Sequence, residues 1–281
     1  KREIMFCDYH LHTNFSDDSE YIMENVVKDA IEMGMNEICF TDHVDYGVKL
    51  DWDQLDNIKY DGDRPIANVN YLLYFKEIAR LKEKYRNQII IKQGMEFGIQ
   101  MHTINQYKSL FNRYDFDFVI LSIHQVNNRE FWTYEFQKGS SEPEYYNDYY
   151  KELYDIVRNY HNYSVIGHMD MLKRYDNKDG YDAFQEHKDI ITEILKYIIE
   201  DGKGIELNTS SIRYKLDDLM PSRDILKLYY ELGGKIITIG SDSHKKEDLG
   251  AHIKTLKENL REIGFKKICT FEKMKPIYHE L

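Results

Sequence analysis

Histidine and acidic residues recur in short motifs that lie far apart along the chain. They are His10-Leu11-His12, Thr41-Asp42-His43, Glu96, Ser122-Ile123-His124, Gly167-His168-Met169-Asp170 and Ser241-Asp242-Ser243-His244. Imidazole nitrogens and carboxylate oxygens are common protein ligands of Zn, Mn and Fe. Because a buried carboxylate must be paired or must coordinate a cation, these motifs predict a metal centre if the fold brings them together.

The spacing within the motifs supports this interpretation. Alternate residues of a strand share one face, so His10 and His12 point the same way, as do Asp242 and His244. Each motif alone also has a structural explanation, such as a core histidine or a helix N-cap. Six strand ends that carry such groups together favour the metal centre. We interpret the remaining histidines as surface residues: His102, His161, His187, His252 and His279.

Seven short apolar runs predict the buried strands that would position these motifs. They cover residues 4–10, 37–41, 89–95, 117–123, 164–167, 204–207 and 235–239. Helical patterns between them, for example at 22–31 and 190–199, predict an α/β fold of parallel strands with crossover helices. Such strands either close into a barrel or form an open sheet, and in both folds sites lie at the C-terminal strand ends. Two long polar stretches, 44–68 and 125–147, follow strands and are expected to cover the site.

Composition bounds the function further. The 281 residues carry a net charge of −11, which argues against a nucleic-acid partner. The sequence has no apolar run long enough for a membrane span, and residues 1–5 show no signal-peptide pattern. Three scattered cysteines argue against a disulfide framework, so we expect a cytoplasmic protein. Without a linker or a Gly-rich phosphate loop, we predict one domain over 1–281 that is not a nucleotide-binding sheet.

In order and position, the motifs resemble those of the polymerase-and-histidinol-phosphatase (PHP) superfamily. The residues that carry the resemblance are His10-Leu11-His12-Thr13, Thr41-Asp42-His43, Glu96, Ser122-Ile123-His124, Gly167-His168 and Ser241-Asp242-Ser243-His244. The stretch Phe15-Ser16-Asp17-Asp18-Ser19 is most similar to stand-alone histidinol-phosphate phosphatases. The resemblance covers nearly the whole chain. It implies a distorted (β/α)7 barrel with outer helices and a site at the C-terminal ends of the strands.

The resemblance also implies three divalent metal ions, for which the ligand types suit Zn, Mn or Fe. Carried over by position, the ligands are His10, His12, Glu96 and Asp242 for one ion, Glu96, His124 and His168 for the second, and Asp18, His43 and His244 for the third. Glu96 would bridge the first two ions. Many relatives have a histidine where Asp18 stands, so Asp17 is a competing ligand.

The implied activity is hydrolysis of a small phosphate monoester, L-histidinol phosphate, in histidine biosynthesis. Our hypothesis for the mechanism is that a water bridging two ions loses a proton near neutral pH and attacks phosphorus. Glu96 would be catalytic by holding both ions. Asp242 and His244 are the candidates that protonate the leaving alkoxide, although metal ligation competes with that role.

Two arginines lie just past predicted strand ends and are expected to bind phosphate. A guanidinium group forms bidentate contacts to phosphate, which suits Arg174 and Arg213, and an exposed surface arginine is the alternative for each. Arg64 and Arg129 in the long polar stretches are further candidates. Glu206 and Asn208 end the sixth predicted strand, where a substrate contact and a structural role are both open.

Three other functions compete with this one. Another PHP-type phosphoesterase, a phosphotyrosine phosphatase or exonuclease, would share the metal motifs. An amidohydrolase-type barrel also begins with His-x-His, but it usually needs a lysine and a lone terminal Asp at strand ends. A non-catalytic metal-binding relative is disfavoured because all nine candidate positions carry ligand-capable residues. We expect no membrane partner, and the oligomeric state stays open.

Overall fold

The computed structural model describes residues 4–176 and 180–281. Residues 1–3, part of the segment without a signal-peptide pattern, lie outside the described residues. In the described residues the strands are β1 (Cys7–Leu11), β2 (Glu37–Phe40), β3 (His43–Val44), β4 (Lys59–Asp61), β5 (Arg64–Ile66), β6 (Ile90–Gly98), β7 (Phe118–Ser122), β8 (Gln125–Val126), β9 (Arg129–Glu130), β10 (Val165–Ile166), β11 (Gly204–Asn208), β12 (Ile237–Gly240), β13 (Lys267–Glu272) and β14 (Lys275–Glu280). The helices are α1 (Met23–Glu32), α2 (Tyr71–Lys84), α3 (Ile104–Arg113), α4 (Glu142–Asn159), α5 (Ala183–Glu186), α6 (Lys188–Glu200), α7 (Arg223–Glu231) and α8 (Ile253–Ile263).

Seven parallel strands form a nearly closed barrel in the order β1-β2-β6-β7-β10-β11-β12. The short strand β3 pairs with β6 beyond the end of β2. The first and last barrel strands meet through a parallel bridge between Leu11 and Ser243, where the His12 amide donates to the Ser243 carbonyl at 2.8 Å. The predicted (β/α)7 barrel with outer helices is therefore confirmed.

Local sequence explains why the elements begin and end where they do. All five residues of β7 are buried, as expected for a strand that is covered on both faces. Helix α7 is capped by Ser222, whose hydroxyl accepts from the Ile225 amide at 3.3 Å. Helix α1 is followed by Gly34 with φ of +77°, a left-handed conformation that glycine adopts without strain. These signals determine where the crossover helices begin and end.

The seven predicted strands all correspond to barrel strands, and the boundaries differ most for the first and the third. The first strand begins at Cys7 rather than at residue 4, because Ile4 is 60% exposed and is not part of the core. The third runs on to Gly98, since β3 and β7 both pair with its second half. Glu96 therefore lies within a strand and not after it.

The two long polar stretches contain small antiparallel hairpins. Strands β4 and β5 form one, and β8 and β9 form the other. A third hairpin, β13–β14, was not predicted from the sequence. It packs against the barrel through Phe271, whose amide donates to the Tyr9 hydroxyl at 3.0 Å and whose carbonyl accepts from the same hydroxyl at 3.3 Å.

The remaining sequence expectations concern cysteines, histidines and the membrane. The three cysteines are free and buried. Of the five histidines interpreted as surface residues, His187 and His279 are only partly exposed. No described helix combines the length and the apolar character that crossing a bilayer requires.

Candidate metal centre

The nine predicted metal ligands meet at the C-terminal end of the barrel. Three belong to strands, namely His10 in β1, His43 in β3 and Glu96 in β6. The other six follow strand ends: His12, Asp18, His124, His168, Asp242 and His244. Parallel strands bring their C-terminal ends to one edge, so motifs far apart in sequence become neighbours.

Glu96 lies at the middle of this cluster and is fully buried. Its Oε2 is 3.1 Å from His10 Nε2, 3.3 Å from His12 Nε2 and 3.2 Å from His43 Nδ1. Asp242 completes this side, with Oδ1 at 3.4 Å from His10 Nε2 and 3.2 Å from His12 Nε2. His10, His12, Glu96 and Asp242 therefore present two imidazoles and two carboxylates to one space, and His43 Nδ1 also faces Glu96.

The second oxygen of Glu96 faces a different pair of histidines. Oε1 is 3.0 Å from His124 Nε2 and 2.9 Å from His168 Nε2. The Ser122 hydroxyl donates to the same oxygen at 2.8 Å and fixes the carboxylate plane. Glu96 thus presents one oxygen to each of two groups, which is the arrangement that a bridging ligand requires.

A third group lies toward the pocket opening. Asp18 Oδ2 is 3.2 Å from His43 Nε2 and 3.1 Å from His244 Nε2. Asp17 instead pairs with Lys49, at 2.8 Å between Oδ1 and Nζ. Between the two competing aspartates, the structure brings Asp18 to the histidines.

Several atoms in the centre form no hydrogen bond of acceptable geometry among the described residues, although carboxylate oxygens and imidazole nitrogens there lie 3.1–3.4 Å apart. They are His10 Nε2, His12 Nε2, His43 Nδ1 and Glu96 Oε2, and all are buried. Orphaned buried polar atoms are costly, and here they converge on shared space. The donor atoms lie within 4.8 Å of one another in each of three sets, which are His10-His12-Glu96, Glu96-His124-His168 and His12-Asp18-His43-His244. The residues therefore fit bound divalent cations.

Two further carboxylates and one backbone carbonyl accept hydrogen bonds from the Nδ1 atoms of these histidines, the ring nitrogens that face away from the centre. His10 Nδ1 donates to Glu206 Oε2 at 2.5 Å, and His124 Nδ1 donates to Asp45 Oδ1 at 2.8 Å. The Nδ1 of His244 donates to the Asp242 carbonyl at 2.9 Å. Such contacts orient a metal-binding imidazole and leave Nε2 available to a cation.

Sequence reasoning named Glu206 without deciding its role and did not single out Asp45. Glu206 is buried beneath His10 and also accepts from the His168 amide at 3.0 Å. Asp45 follows His43 by two residues, and its Oδ2 is 3.1 Å from Lys49 Nζ. That i, i+2 spacing was the only sequence signal for it.

Neighbouring charged side chains strongly shift the pKa values of several groups in the metal centre. Burial opposes protonation of His12, but the carboxylates of Asp242 and Glu96 outweigh it and raise the pKa of His12 to about 10. Glu96 and Asp45 likewise outweigh burial and raise the pKa of His124 to about 10. Burial would raise the pKa of Glu96, yet the neighbouring imidazoles, His10 foremost, hold it well below its usual value. Cations that bind here must displace protons from these imidazoles.

Arg174 lies beside the centre with its side chain only 7% exposed. Its Nη2 donates to Ser210 Oγ at 2.8 Å and lies 3.4 Å from Asp242 Oδ2. The guanidinium stacks 4.1 Å from the Tyr214 ring centroid. Its Nε is buried and has no partner among the described residues, so part of the fork is free to bind a ligand.

The other predicted substrate contacts lie in different environments. Arg213 donates from Nη2 to the Asp242 carbonyl at 2.9 Å, which supports that residue at φ of +57°. Asn208 is fully buried, and its Nδ2 donates to Glu206 Oε1 at 2.9 Å and Asp242 Oδ2 at 3.2 Å. Arg64 lines the pocket and donates to the Ser16 and Ser19 carbonyls, whereas Arg129 stacks over Phe136.

A cavity of about 570 Å³ opens above the metal centre. Its floor includes Glu96, His124 and His168, and Arg174 forms part of its wall. Both polar stretches contribute to the rim, through residues such as Arg64 and Trp132. A cavity of this size accommodates a small-molecule ligand.

Comparison with known proteins agrees with this geometry. The family model for the PHP domain matches residues 8–210. A histidinol-phosphatase of Lactococcus lactis subsp. lactis is 34% identical over 95% of this chain and 95% of its own length. A probable histidinol-phosphatase of Clostridium acetobutylicum is 33% identical over 94% of this chain and 98% of its own length.

A solved structure extends the similarity to three dimensions. It is the crystal structure of the Lactococcus lactis histidinol phosphate phosphatase in complex with Zn, L-histidinol and phosphate. The TM-score is 0.81 at 31% sequence identity, over 98% of this chain and 100% of the other.

Proposed function

The chain belongs to the PHP domain family, and on that premise we propose that it hydrolyses L-histidinol phosphate to L-histidinol and phosphate. The observation that carries this proposal is the convergence of six histidines and three carboxylates, with orphaned buried donor atoms, below a pocket lined by Arg174. The chain is accordingly a metal-dependent phosphoric monoester hydrolase. Its histidinol-phosphatase relatives match it over nearly their whole length.

We further propose that the whole chain forms one phosphatase domain. The matched family region ends at residue 210, but β12 and the motif around Asp242 lie beyond it. Strand β12 pairs with β11 and completes the barrel, and Asp242 joins His10 and His12 in the centre. The C-terminal part therefore supports the same site.

Three ions are proposed, each of them Zn, Mn or Fe. The donor groups that support them are His10, His12, Glu96 and Asp242 for one ion, Glu96, His124 and His168 for another, and Asp18, His43 and His244 for the third. When bound, such ions lower the pKa of a coordinated water and offset charge on phosphoryl oxygens.

The chain's own residues would position the substrate and move protons. Arg174 offers its free Nε and a rigid fork to a phosphate oxygen, because Ser210 and Tyr214 already hold its orientation. Glu96 would keep the two sets of donor atoms that share its carboxylate in a fixed position relative to each other. Asp242 and His244 are the proposed proton donors to the leaving alkoxide, and His244 faces the pocket beside Asp18.

The test is phosphate release from L-histidinol phosphate, p-nitrophenyl phosphate, phosphotyrosine and a short oligonucleotide. We expect a clear preference in kcat/KM for L-histidinol phosphate, loss of activity with a chelator, and recovery when Zn, Mn or Fe is restored. A preference for phosphotyrosine or for the oligonucleotide would replace this function with that of another PHP-type phosphoesterase. Absence of hydrolysis in the metal-loaded protein would favour a non-catalytic relative.

Arg174→Ala sharpens the assignment of the phosphate contact. Loss of the fork should raise KM and lower kcat/KM by about 10- to 1,000-fold, roughly 1.4–4 kcal/mol. The same range is expected for Arg213→Ala, whose guanidinium also supports the Asp242 turn. The metal content of each variant distinguishes a phosphate contact from support of the metal centre, because only the second role predicts loss of bound metal. Unchanged kinetics in Arg174→Ala would remove that residue from the site.

A further inference from the structure

The outer donor group takes one of its proposed ligands from a loop. Asp18 lies between β1 and α1, in a segment that forms neither helix nor strand. Its side chain is 47% exposed, whereas the carboxylates of Glu96 and Asp242 are buried. A ligand on an exposed loop keeps a fixed position only if other contacts hold the loop, and metal affinity depends on that position. The contacts of the Asp18 loop, residues 16–19, therefore bear directly on the binding of an ion at this group.

Lys49 holds the Asp18 loop through a side chain. Its Nζ is 2.8 Å from Asp17 Oδ1 and 3.1 Å from Asp45 Oδ2. The side chains of Lys49 and Asp17 are only 13% and 12% exposed, so an ion pair that is broken here leaves a poorly solvated charge. Because Asp45 also accepts from His124 Nδ1, one ammonium group links the loop to the residue that orients a second proposed ligand.

Arg64 holds the same loop through its backbone. The Arg64 Nη2 donates to the Ser16 carbonyl at 3.2 Å and to the Ser19 carbonyl at 3.1 Å, on either side of Asp18. A charged donor strengthens such hydrogen bonds. The Ser19 hydroxyl in turn donates to the His244 carbonyl at 2.7 Å. The loop is thereby tied both to the long polar stretch and to the residue that supplies another proposed ligand.

We propose that Lys49 and Arg64 clamp the Asp18 loop and thereby set the affinity of the outer donor group for its ion. This inference rests on the proposed function, which includes an ion at that group. Lys49 and Arg64 are positioning residues, because they act through the loop and are not among the proposed ligands. The long polar stretch would then support the metal centre as well as contribute to the pocket rim.

A cation near a metal site has two effects of opposite sign. Its charge repels a divalent ion, so removal of Lys49 or Arg64 would strengthen metal binding if charge alone mattered. As a clamp, each residue keeps Asp18 in place, so its removal weakens metal binding. Loss of a contact that orients a ligand typically lowers metal affinity about 10- to 100-fold, whereas repulsion across a pocket open to solvent is screened. The sign of the change in affinity therefore distinguishes the two effects.

The experiment measures Zn bound per chain at graded free Zn concentrations, set by a competing chelator, for the wild type, Lys49→Met and Arg64→Met. Methionine removes the charge and keeps an unbranched side chain. Asp18→Asn identifies the outer ion, because this variant loses one of its proposed ligands. We expect the outer ion to bind about 10- to 100-fold more weakly in both clamp variants, while the affinity of the other ions changes less than about threefold. Lys49→Arg retains the charge and should restore most of the affinity.

Lys92→Met is the matched control. Lys92 lies in the first half of β6, outside the pocket lining, and its Nζ is 3.0 Å from Glu272 Oε1. Its side chain is 11% exposed, so the control removes a lysine of similar burial without touching the Asp18 loop. Zn affinity in this variant should equal that of the wild type even if the melting temperature falls.

Tighter or unchanged binding of the outer ion in Lys49→Met and Arg64→Met would overturn the inference. Equal weakening in Lys92→Met would also overturn it, because general destabilisation would then explain the loss. If one clamp variant does not fold, the other still decides. Phosphate release from L-histidinol phosphate by the metal-loaded wild type tests the proposed function separately. Its absence would overturn that function, whereas failure of the clamp alone would leave the function standing.

Discussion

The floor and the rim of the pocket are built in opposite ways. On the floor, His10, His12 and Glu96 are at most 1% exposed and come from the barrel strands or the residue directly after one. On the rim, Trp132 is 63% exposed and belongs to a segment that follows a small hairpin. The floor residues contact one another and buried carboxylates such as Glu206, whereas the side chains of Glu130 and Trp132 share a hydrogen bond.

Under the proposed function, this difference would place reactivity and selectivity in separate parts of the pocket. Metal chemistry needs donor atoms held to a few tenths of an ångström, and a closed barrel with buried supporting contacts provides that precision. Selectivity needs a surface that varies without disturbing the barrel, and loops at strand ends provide it. Substitutions on the floor should therefore affect every substrate, while those on the rim should affect particular substrates.

The largest effect is expected for Glu96→Gln. Glutamine has one carbonyl oxygen and no charge, so it cannot offer an anionic oxygen to each of the two donor groups. We expect loss of bound metal and a fall in kcat/KM of about 1,000-fold or more on every phosphate ester, roughly 4 kcal/mol. Elemental analysis and steady-state kinetics measure the two effects. Full metal content in this variant would contradict the bridging role.

A smaller effect is expected for Glu206→Gln. The variant weakens the hydrogen bond that orients His10 without removing any proposed ligand. Loss of such a supporting contact typically lowers metal affinity or activity by about 10- to 100-fold. Zn titration against a competing chelator measures it, and Glu135→Gln, at an exposed glutamate outside the pocket lining, is the control. An affinity equal to wild type would show that His10 does not depend on Glu206.

The smallest effect is expected from pH, which should change the metal affinity gradually. In the absence of ions, neighbouring carboxylates outweigh burial and raise the pKa values of His12 and His124 to about 10. Both rings therefore carry protons near neutral pH that a cation must displace. Lowering the pH by one unit should weaken apparent Zn affinity about tenfold for each proton displaced. Titrations at several pH values check this, and a pH-independent affinity would contradict it.

Sequence patterns were sufficient for the seven barrel strands and for the convergence of the strand-end motifs, whereas Asp18 became a candidate only through the family resemblance. Buried strands produce continuous apolar runs, and residues such as His124 and His168 directly follow them. Periodicity alone left open whether the sheet closes. Closure depends on the bridge from Leu11 to Ser243, a pairing between distant residues that no local pattern encodes.

The misses have equally physical causes. Asp45 is one of many aspartates in a polar stretch, and only the fold places it against His124. The hairpin β13–β14 was overlooked because its second strand is mostly exposed and lacks an apolar run. Glu130 and Trp132 resemble ordinary surface residues in sequence, since their hydrogen bond follows from a turn that brings the side chains together.

The join between β1 and β12 has a consequence for folding. His10 and His12 stand on one side of that join, and Asp242 on the other contacts both. An ion held by all three would link the first and last barrel strands. Metal binding and closure of the barrel would then be coupled. At a free-metal concentration about a thousandfold above Kd, mass action alone would add roughly 4 kcal/mol to the closed form. Metal depletion would then lower the stability of the folded protein as well as its catalytic activity.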